Sequence, residues 1–229
     1  MKTALLIGNS SGIGSQVTKK LLDQNYHVIG ISKSESSIVH LNYRHIIKDV
    51  CDDNYRVTLE EVLSSIPELN LCIYFAGIGD LLDWNNLNKE TKVFNVNLMS
   101  AVITTELALI KMQKQNFGHF IGLSSAADVL ISSQAPSYSA SKAGVSKFWE
   151  GLGLAMKNKN IKISNIRFGF VDTKMSKASV RPFLLSADEA AEYLLKIIKK
   201  PKIRATKPKL IIPLVWLSGL SNRIQLLFK

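Results

Sequence analysis

Thr3-Ala4-Leu5-Leu6-Ile7-Gly8-Asn9-Ser10-Ser11-Gly12-Ile13-Gly14 is the stretch whose reading decides the fold. A compact apolar run leads straight into glycines, and Ile13, Val17, Leu21 and Leu22 then recur at helical spacing. The order is strand, tight turn, helix. Gly8, Gly12 and Gly14 stand in a G-x-x-x-G-x-G spacing. Such glycines let a backbone adopt conformations closed to side chains, approach an anion closely and hand it to a helix N-terminus. Ser10 and Ser11 add hydroxyl donors, and Ile13 sits within the turn. The alternative is a strand-to-helix turn that holds no ligand.

Outward from this turn, strands and helices alternate. Apolar runs at residues 28–31, 45–47, 71–75, 119–123 and 161–167 predict five more strands. Between them, Leu59, Val62, Leu63 and Ile66 form a helical stripe closed by Pro67, and residues 89–114, 138–156 and 187–198 read as further helices. Strict alternation implies right-handed crossovers and a parallel sheet covered on both faces, an α/β, Rossmann-type doubly wound architecture. At 229 residues one domain is expected, with residues 1–207 as its body and 208–229 as an apolar tail.

Composition narrows the function classes. Hydrophobic content of 46% with 21% charge is ordinary for a globular chain. Cys51 and Cys72 lack metal or disulfide spacing, so no metal is expected and a reducing cytoplasm fits best. The net charge of +11 includes a late basic stretch, Lys196, Lys199, Lys200, Lys202, Arg204, Lys207 and Lys209. Without an aromatic platform or a recognition helix it does not point to nucleic acid, and an anionic membrane surface stays open.

At the end of the second strand, Ser32-Lys33 brings a hydroxyl and a cation where NAD-binding proteins tend to place a carboxylate. Lys33 suits a ribose 2′-phosphate, which favours NADP(H) over NAD(H). Further on, Tyr138 and Lys142 stand four residues apart, hence on one side of a helix. A phenol of pKa about 10 needs a nearby cation to serve as acid/base at neutral pH. Ser124 or Ser125, at the close of the fifth strand, offers a hydroxyl to a substrate carbonyl, and Asn97 offers an amide to a proton-relaying water.

These residues, in this order and spacing, resemble the short-chain dehydrogenase/reductase family over nearly all of residues 1–207. Gly8 to Gly14 looks like its cofactor turn, and Asn97, Ser125, Tyr138 and Lys142 match its catalytic positions. Asp49-Val50 resembles its adenine-contacting pair, Ala76-Gly77 the backbone surface after the fourth strand, and Gly169, Val171 and Thr173 the segment beside the nicotinamide carboxamide. The resemblance implies a reductase of a small carbonyl substrate, acting reversibly on the alcohol. It also implies a homodimer or homotetramer built through helices near residues 90–115 and 138–157. Four positions depart from the pattern. Tyr74-Phe75 stands for Asn-Asn, Phe168 for proline and Ile7 for threonine, which bears on local rigidity and nicotinamide packing. A non-catalytic dinucleotide-binding protein is the rival reading.

The lid expected after Thr173 is short, from about residue 174 to 186, with Met175, Val180, Pro182, Phe183, Leu184 and Leu185 as an apolar inner surface. The tail from 210 to 228 ends on Phe228, and Pro213, Gly219, Ser221, Asn222 and Arg223 break it. It is expected to pack on protein or lie on a membrane surface. Some members of the resembled family reduce lipid-linked keto-sugars, which suits the second outcome.

Overall fold

The computed structural model describes residues 1–175 and 181–227, so Val180 and Phe228 lie outside the described residues. Among the described residues, seven strands make one sheet: β1 (Thr3–Ile7), β2 (His27–Ser32), β3 (Tyr43–Ile47), β4 (Leu71–Tyr74), β5 (Gly118–Ser125), β6 (Ile161–Phe168) and β7 (Arg204–Lys207). Their order is β3-β2-β1-β4-β5-β6-β7 and every neighbouring pair is parallel. The helices are α1 (Gly12–Leu22), α2 (Tyr55–Ser65), α3 (Asn88–Phe94), α4 (Ser100–Gln115), α5 (Pro136–Ala155), α6 (Ala187–Lys199) and α7 (Ile211–Leu227).

β1 shows why the sheet is doubly covered. All five of its residues are buried, so it reads as a continuous apolar run rather than an alternating one. Ala4 and Leu6 pack with Val17 and Leu21 of α1 and Leu194 of α6, whereas Leu5 and Ile7 pack with Leu59 of α2, Ala108 of α4 and Val145 of α5. Trp149 of α5 lies where Gly122 of β5 has no side chain, and a Cβ built there would meet its ring at 2.3 Å. The order in which strands are added reverses between β1 and β4, which opens a crevice at the C-terminal ends of the strands.

Two expectations are corrected. The sheet has a seventh strand, because Arg204-Ala205-Thr206-Lys207 is a four-residue edge strand of which only the central pair is buried. It carries no apolar run for a pattern to detect. The tail is not broken: residues 211–227 form a single helix. Pro213 falls in its first turn, where the missing N–H has no intrahelical partner in any case. Gly219 fits against the Val129 carbonyl, which a Cβ there would meet at 2.8 Å.

The segment read as one helix over 89–114 is continuous from Asn88 to Gln115, with a π-helical stretch at Asn95–Met99 between α3 and α4. Among the described residues it is the one helix long and apolar enough to cross a membrane, yet 56% of its most apolar window is buried inside the protein. It is a core helix.

Candidate active site

One cleft of about 970 Å³ runs across the C-terminal ends of the strands and takes in the glycine turn, Ser125, Tyr138 and Lys142. At its first end, Gly8 has φ +84° and Gly12 φ +54°, backbone that a side chain resists. A Cβ on Gly8 would also lie 2.5 Å from the Ala76 amide nitrogen. Ser11 precedes α1 in extended conformation without capping it by a side-chain bond, and the first turn of the helix holds no acidic residue. The leading N–H groups of α1 are thus left to an anion. The wall fits a dinucleotide pyrophosphate.

The turn is held from beneath. Ser32 Oγ accepts hydrogen bonds from the Asn9 and Ser10 amides, at 2.9 and 3.1 Å, and donates to Asn9 Oδ1. Asn9 Nδ2 donates to Thr18 Oγ1 and Tyr43 Oη. The one proton of the Ser32 hydroxyl is therefore engaged within the protein, and Ser32 supports the turn instead of facing a phosphate. Lys33 is exposed and pairs with Asp49 at 3.0 Å. Asp49 also accepts from the Cys51 amide, and its carboxyl is lowered by these two partners against the opposing effect of burial. Val50 is buried, and its carbonyl accepts from Ser100 Oγ.

At the second end, four elements converge. Asn97 lies in the π-helical stretch, a local widening that recurs at functional sites. Its side chain exchanges two bonds with the Ile78 backbone, both 2.8 Å, and donates to Ser141 Oγ at 3.1 Å. Ser141 in turn donates to the Tyr138 carbonyl. Asn97 thus fastens the loop after β4 to the turn of α5 that separates Tyr138 from Lys142. Lys142 Nζ donates to the Leu123 carbonyl at 3.0 Å and lies 5.9 Å from the Tyr138 ring centroid. A Cβ on Gly77 would lie 3.4 Å from Lys142 Nζ and 3.5 Å from Asn97 Oδ1, so all three share one corner.

Burial sets the electrostatics. It lowers Lys142 from 10.5 to about 8. It raises the Tyr138 phenol above its ordinary value, and the hydrogen-bonding Ser125 hydroxyl pulls it partly back. The sequence leads one to expect Lys142 to make Tyr138 more acidic. In the folded protein desolvation leads at both groups and pushes them toward their neutral forms.

Ser125 is buried and its Oγ accepts from the Ala127 amide, capping a 3₁₀ turn at Ala126–Val129. Ser124 points away, donating to Asn165 Oδ1. Beyond the cap, Asp128 takes the Arg167 guanidinium through Nε at 2.7 Å and Nη2 at 2.5 Å, and Ser146 Oγ of α5 donates to it at 2.6 Å. This buried clamp ties the Ser125 turn to β6 and α5. Its one mark in the sequence is an arginine inside the apolar run Ile166-Arg167-Phe168. Ile211, Leu214, Val215 and Ser218 of α7, which no motif singles out, also line the cleft with Gly169.

The departures from the family pattern are filled. Tyr74 donates its hydroxyl to the Val96 carbonyl at 2.6 Å, joining β4 to the π-helical stretch as a side-chain amide would. Phe168 is buried edge-on against Tyr193. The Ile211 side chain lies beside Gly169, where a Cβ would meet it at 2.6 Å. Val171 is buried and bridges to Leu185, and Thr173 stands across the cleft, 3.3 Å from a Cβ built on Gly12. Of the lid residues, Leu185 is buried, Phe183 and Leu184 are exposed, and Met175 and Pro182 line the cleft. Among the described residues no cluster of His, Cys, Asp or Glu is arranged to hold a metal.

A doubly wound sheet, a positive-φ glycine turn before an uncapped helix N-terminus and a tyrosine-lysine pair in one cleft are the parts a dinucleotide-dependent oxidoreductase requires. Residues 2–182 match the short chain dehydrogenase family, and the chain belongs to it, as an NAD(P)-dependent dehydrogenase/reductase. It is 26% identical over 211 residues to the 3-oxoacyl-[acyl-carrier-protein] reductase FabG of Escherichia coli, covering 86% of this chain and 82% of that one. With the FabG of Rickettsia felis it shares 26% over 182 residues, 76% and 75% of the two chains. Among solved structures, a short chain dehydrogenase from Burkholderia cenocepacia in complex with NADP superposes with a TM-score of 0.81 at 18% identity, over 99% of this chain and 97% of that one.

Proposed function

We propose that the protein is an NADPH-dependent reductase that converts a carbonyl to an alcohol, with Tyr138 as acid/base. The observation that carries this reading is the meeting of Ser125 from β5 with Tyr138 and Lys142 from α5, braced by Asn97, on one cleft whose far end is the glycine turn. A binding protein has no need of a proton donor there.

Gly8, Ser10, Ser11, Gly12, Ile13 and Gly14 hold the pyrophosphate. Asp49 and Val50 border the adenine, Lys33 meets a 2′-phosphate, and Ala76, Gly77, Gly169, Val171 and Thr173 frame the nicotinamide. NADP(H) is preferred to NAD(H) because Lys33, paired with Asp49, lies at that end of the cleft with Lys92 also on the lining. When bound, the dinucleotide supplies the hydride. Ser125 Oγ orients the carbonyl oxygen, and Tyr138 Oη delivers the proton to it. Lys142 stabilises the phenolate left behind, and Asn97 keeps the Ile78 loop and α5 in register while that charge develops. The apolar lining, with Leu130, Phe170 and Leu214 among its residues, suits an apolar substrate, in keeping with relatives named as 3-oxoacyl reductases.

The free thiols Cys51 and Cys72 support a cytoplasmic setting. The outer faces of α4 and α5, with Ile110 and Leu154 exposed, are where we place a homo-oligomer contact. The test of the reading is NADPH oxidation over a panel of ketones. Tyr138→Phe is expected to lower kcat by about 10² to 10⁴ with NADPH binding unchanged. Turnover that survives the substitution sinks the assignment.

A further inference from the structure

α7 has two unlike faces. Ile211, Val215 and Gly219 follow i, i+4 spacing on its inner side, where Ile211 is buried beside Gly169 and Gly219 rests on the Val129 carbonyl. On the outer side Ile212, Trp216, Leu220 and Ile224 make a second i, i+4 row, 42%, 63%, 44% and 45% exposed, with Leu217 beside it. Soluble helices turn such a row inward.

Charge distinguishes what meets this row. From Tyr193 onward the chain has nine lysines and arginines and no aspartate or glutamate. The fold divides them. Lys196, Lys199, Lys200 and Lys202 lie where α6 ends and β7 begins, at the opposite end of the strands from the cleft. Lys207 stays near Glu189. Lys209 and Arg223 are exposed on and beside α7 itself.

The rest of the cleft rim continues the apolar surface. Trp84 after β4, Ile131 after β5 and Phe183 after β6 are exposed, and the first two loops are joined by a Leu82 to Gln134 backbone bond. Of the carboxylates on these loops, Asp83 pairs with Lys89, Asp172 with Arg181 and Asp128 with Arg167, and Asp80 acts electrostatically on Lys89. Apolar groups, two exposed tryptophans and flanking cations spread around an open cleft match a plane better than a single partner helix. Ser218, Ser221, Asn222 and Arg223 suit a helix lying in a lipid interface rather than spanning it.

We propose that the outer face of α7 docks on an anionic lipid bilayer, and that the cleft draws from it a carbonyl substrate borne on a long apolar chain. The second part rests on the reductase reading. Leu214, Val215 and Ser218 line the cleft from the inner side of the same helix, so the path from the docked surface to Ser125 is mostly apolar.

Co-sedimentation of the full chain with vesicles of phosphatidylglycerol and phosphatidylcholine tests the docking. Binding is expected, weakened on the order of tenfold or more on phosphatidylcholine alone, at about a fivefold factor per cation near the surface. Leu217→Glu with Leu220→Glu is expected to abolish it with circular dichroism and NADPH binding unchanged. Should that pair misfold, Lys209→Glu with Arg223→Glu is expected to give the same loss. No vesicle binding by the wild type overturns the proposal. So does binding that survives these variants, or a wild-type dimer that the leucine pair dissociates while lipid binding is absent. A long-chain methyl ketone dissolved in the vesicles should be reduced faster than a short water-soluble ketone, and the leucine pair should slow the first only. Equal effects on both ketones overturn the substrate part. NADPH oxidation with neither ketone, while vesicle binding persists, overturns the reductase reading and leaves the docking supported.

Discussion

The wall around Gly8 and the wall around Ser125 face the same cleft but are made differently. Near Gly8 the surface offered to a ligand is backbone: positive-φ glycines, uncapped helix N–H groups, and a serine whose hydroxyl is turned inward to hold the turn. Near Ser125 it is side chain, and each functional group is held by another from a different element: Asn97 by Ile78 and Ser141, the Ser125 turn by Arg167 and Ser146 through Asp128. Backbone tolerates side-chain substitution and fails when a Cβ intrudes. A side-chain network does the reverse.

The largest expected effect tests the first wall. Gly8→Val combines a positive φ with a clash against Ala76, so a loss of roughly 3 kcal/mol or more is expected, together with loss of NADPH binding. Urea unfolding and cofactor titration read the two. Near-normal binding would mean that the backbone there yields, and the contrast between the walls would fall.

Next comes the clamp at the other wall. Asp128→Ala leaves the Arg167 guanidinium buried without its partner, and about 3–5 kcal/mol of stability should go. Adding Arg167→Met should restore much of the stability but not kcat, because the Ser125 turn stays untied. If the double variant recovers both, the clamp serves folding alone.

Lys142→Met separates stability from function at that same wall. The folded pKa of about 8 lies below the ordinary 10.5. Below pH 8 both folded and unfolded chains carry the proton, and the buried charge costs about 3 kcal/mol. Between pH 8 and 10.5 the unfolded chain binds more protons than the folded one, so wild-type stability relative to the variant rises with pH. The variant should therefore be more stable at neutral pH and inactive, with the gap closing across that window. A gap that does not change with pH would mean the ammonium is better solvated than its burial suggests.

The smallest effect belongs to an exposed side chain at the first wall. Lys33→Ala should raise KM for NADPH roughly two- to fivefold and leave NADH unchanged, in the range of a solvent-screened ion pair. A loss shared equally by both cofactors would move the 2′-phosphate contact elsewhere.

Local features were legible in the amino-acid order alone. The strand-turn-helix at Thr3 to Leu22 could be read because glycine spacing and helical period act over a few residues, and Tyr138 faces the same side as Lys142 for the same reason. Five helical segments and six of the strands followed from apolar patterning. β7 did not, having only Ala205 and Thr206 buried at a sheet edge. The tail looked broken because Pro213 and Gly219 are breakers in most helix positions, and only its placement against Val129 and Gly169 made both harmless. Tertiary structure alone decided that Ser32 supports the turn, that Asn97 reaches Ser141 across 44 positions and that Arg167 reaches Asp128 across 39. Such contacts leave no period in the chain, because their partners meet only after the sheet has brought distant strand ends to one edge.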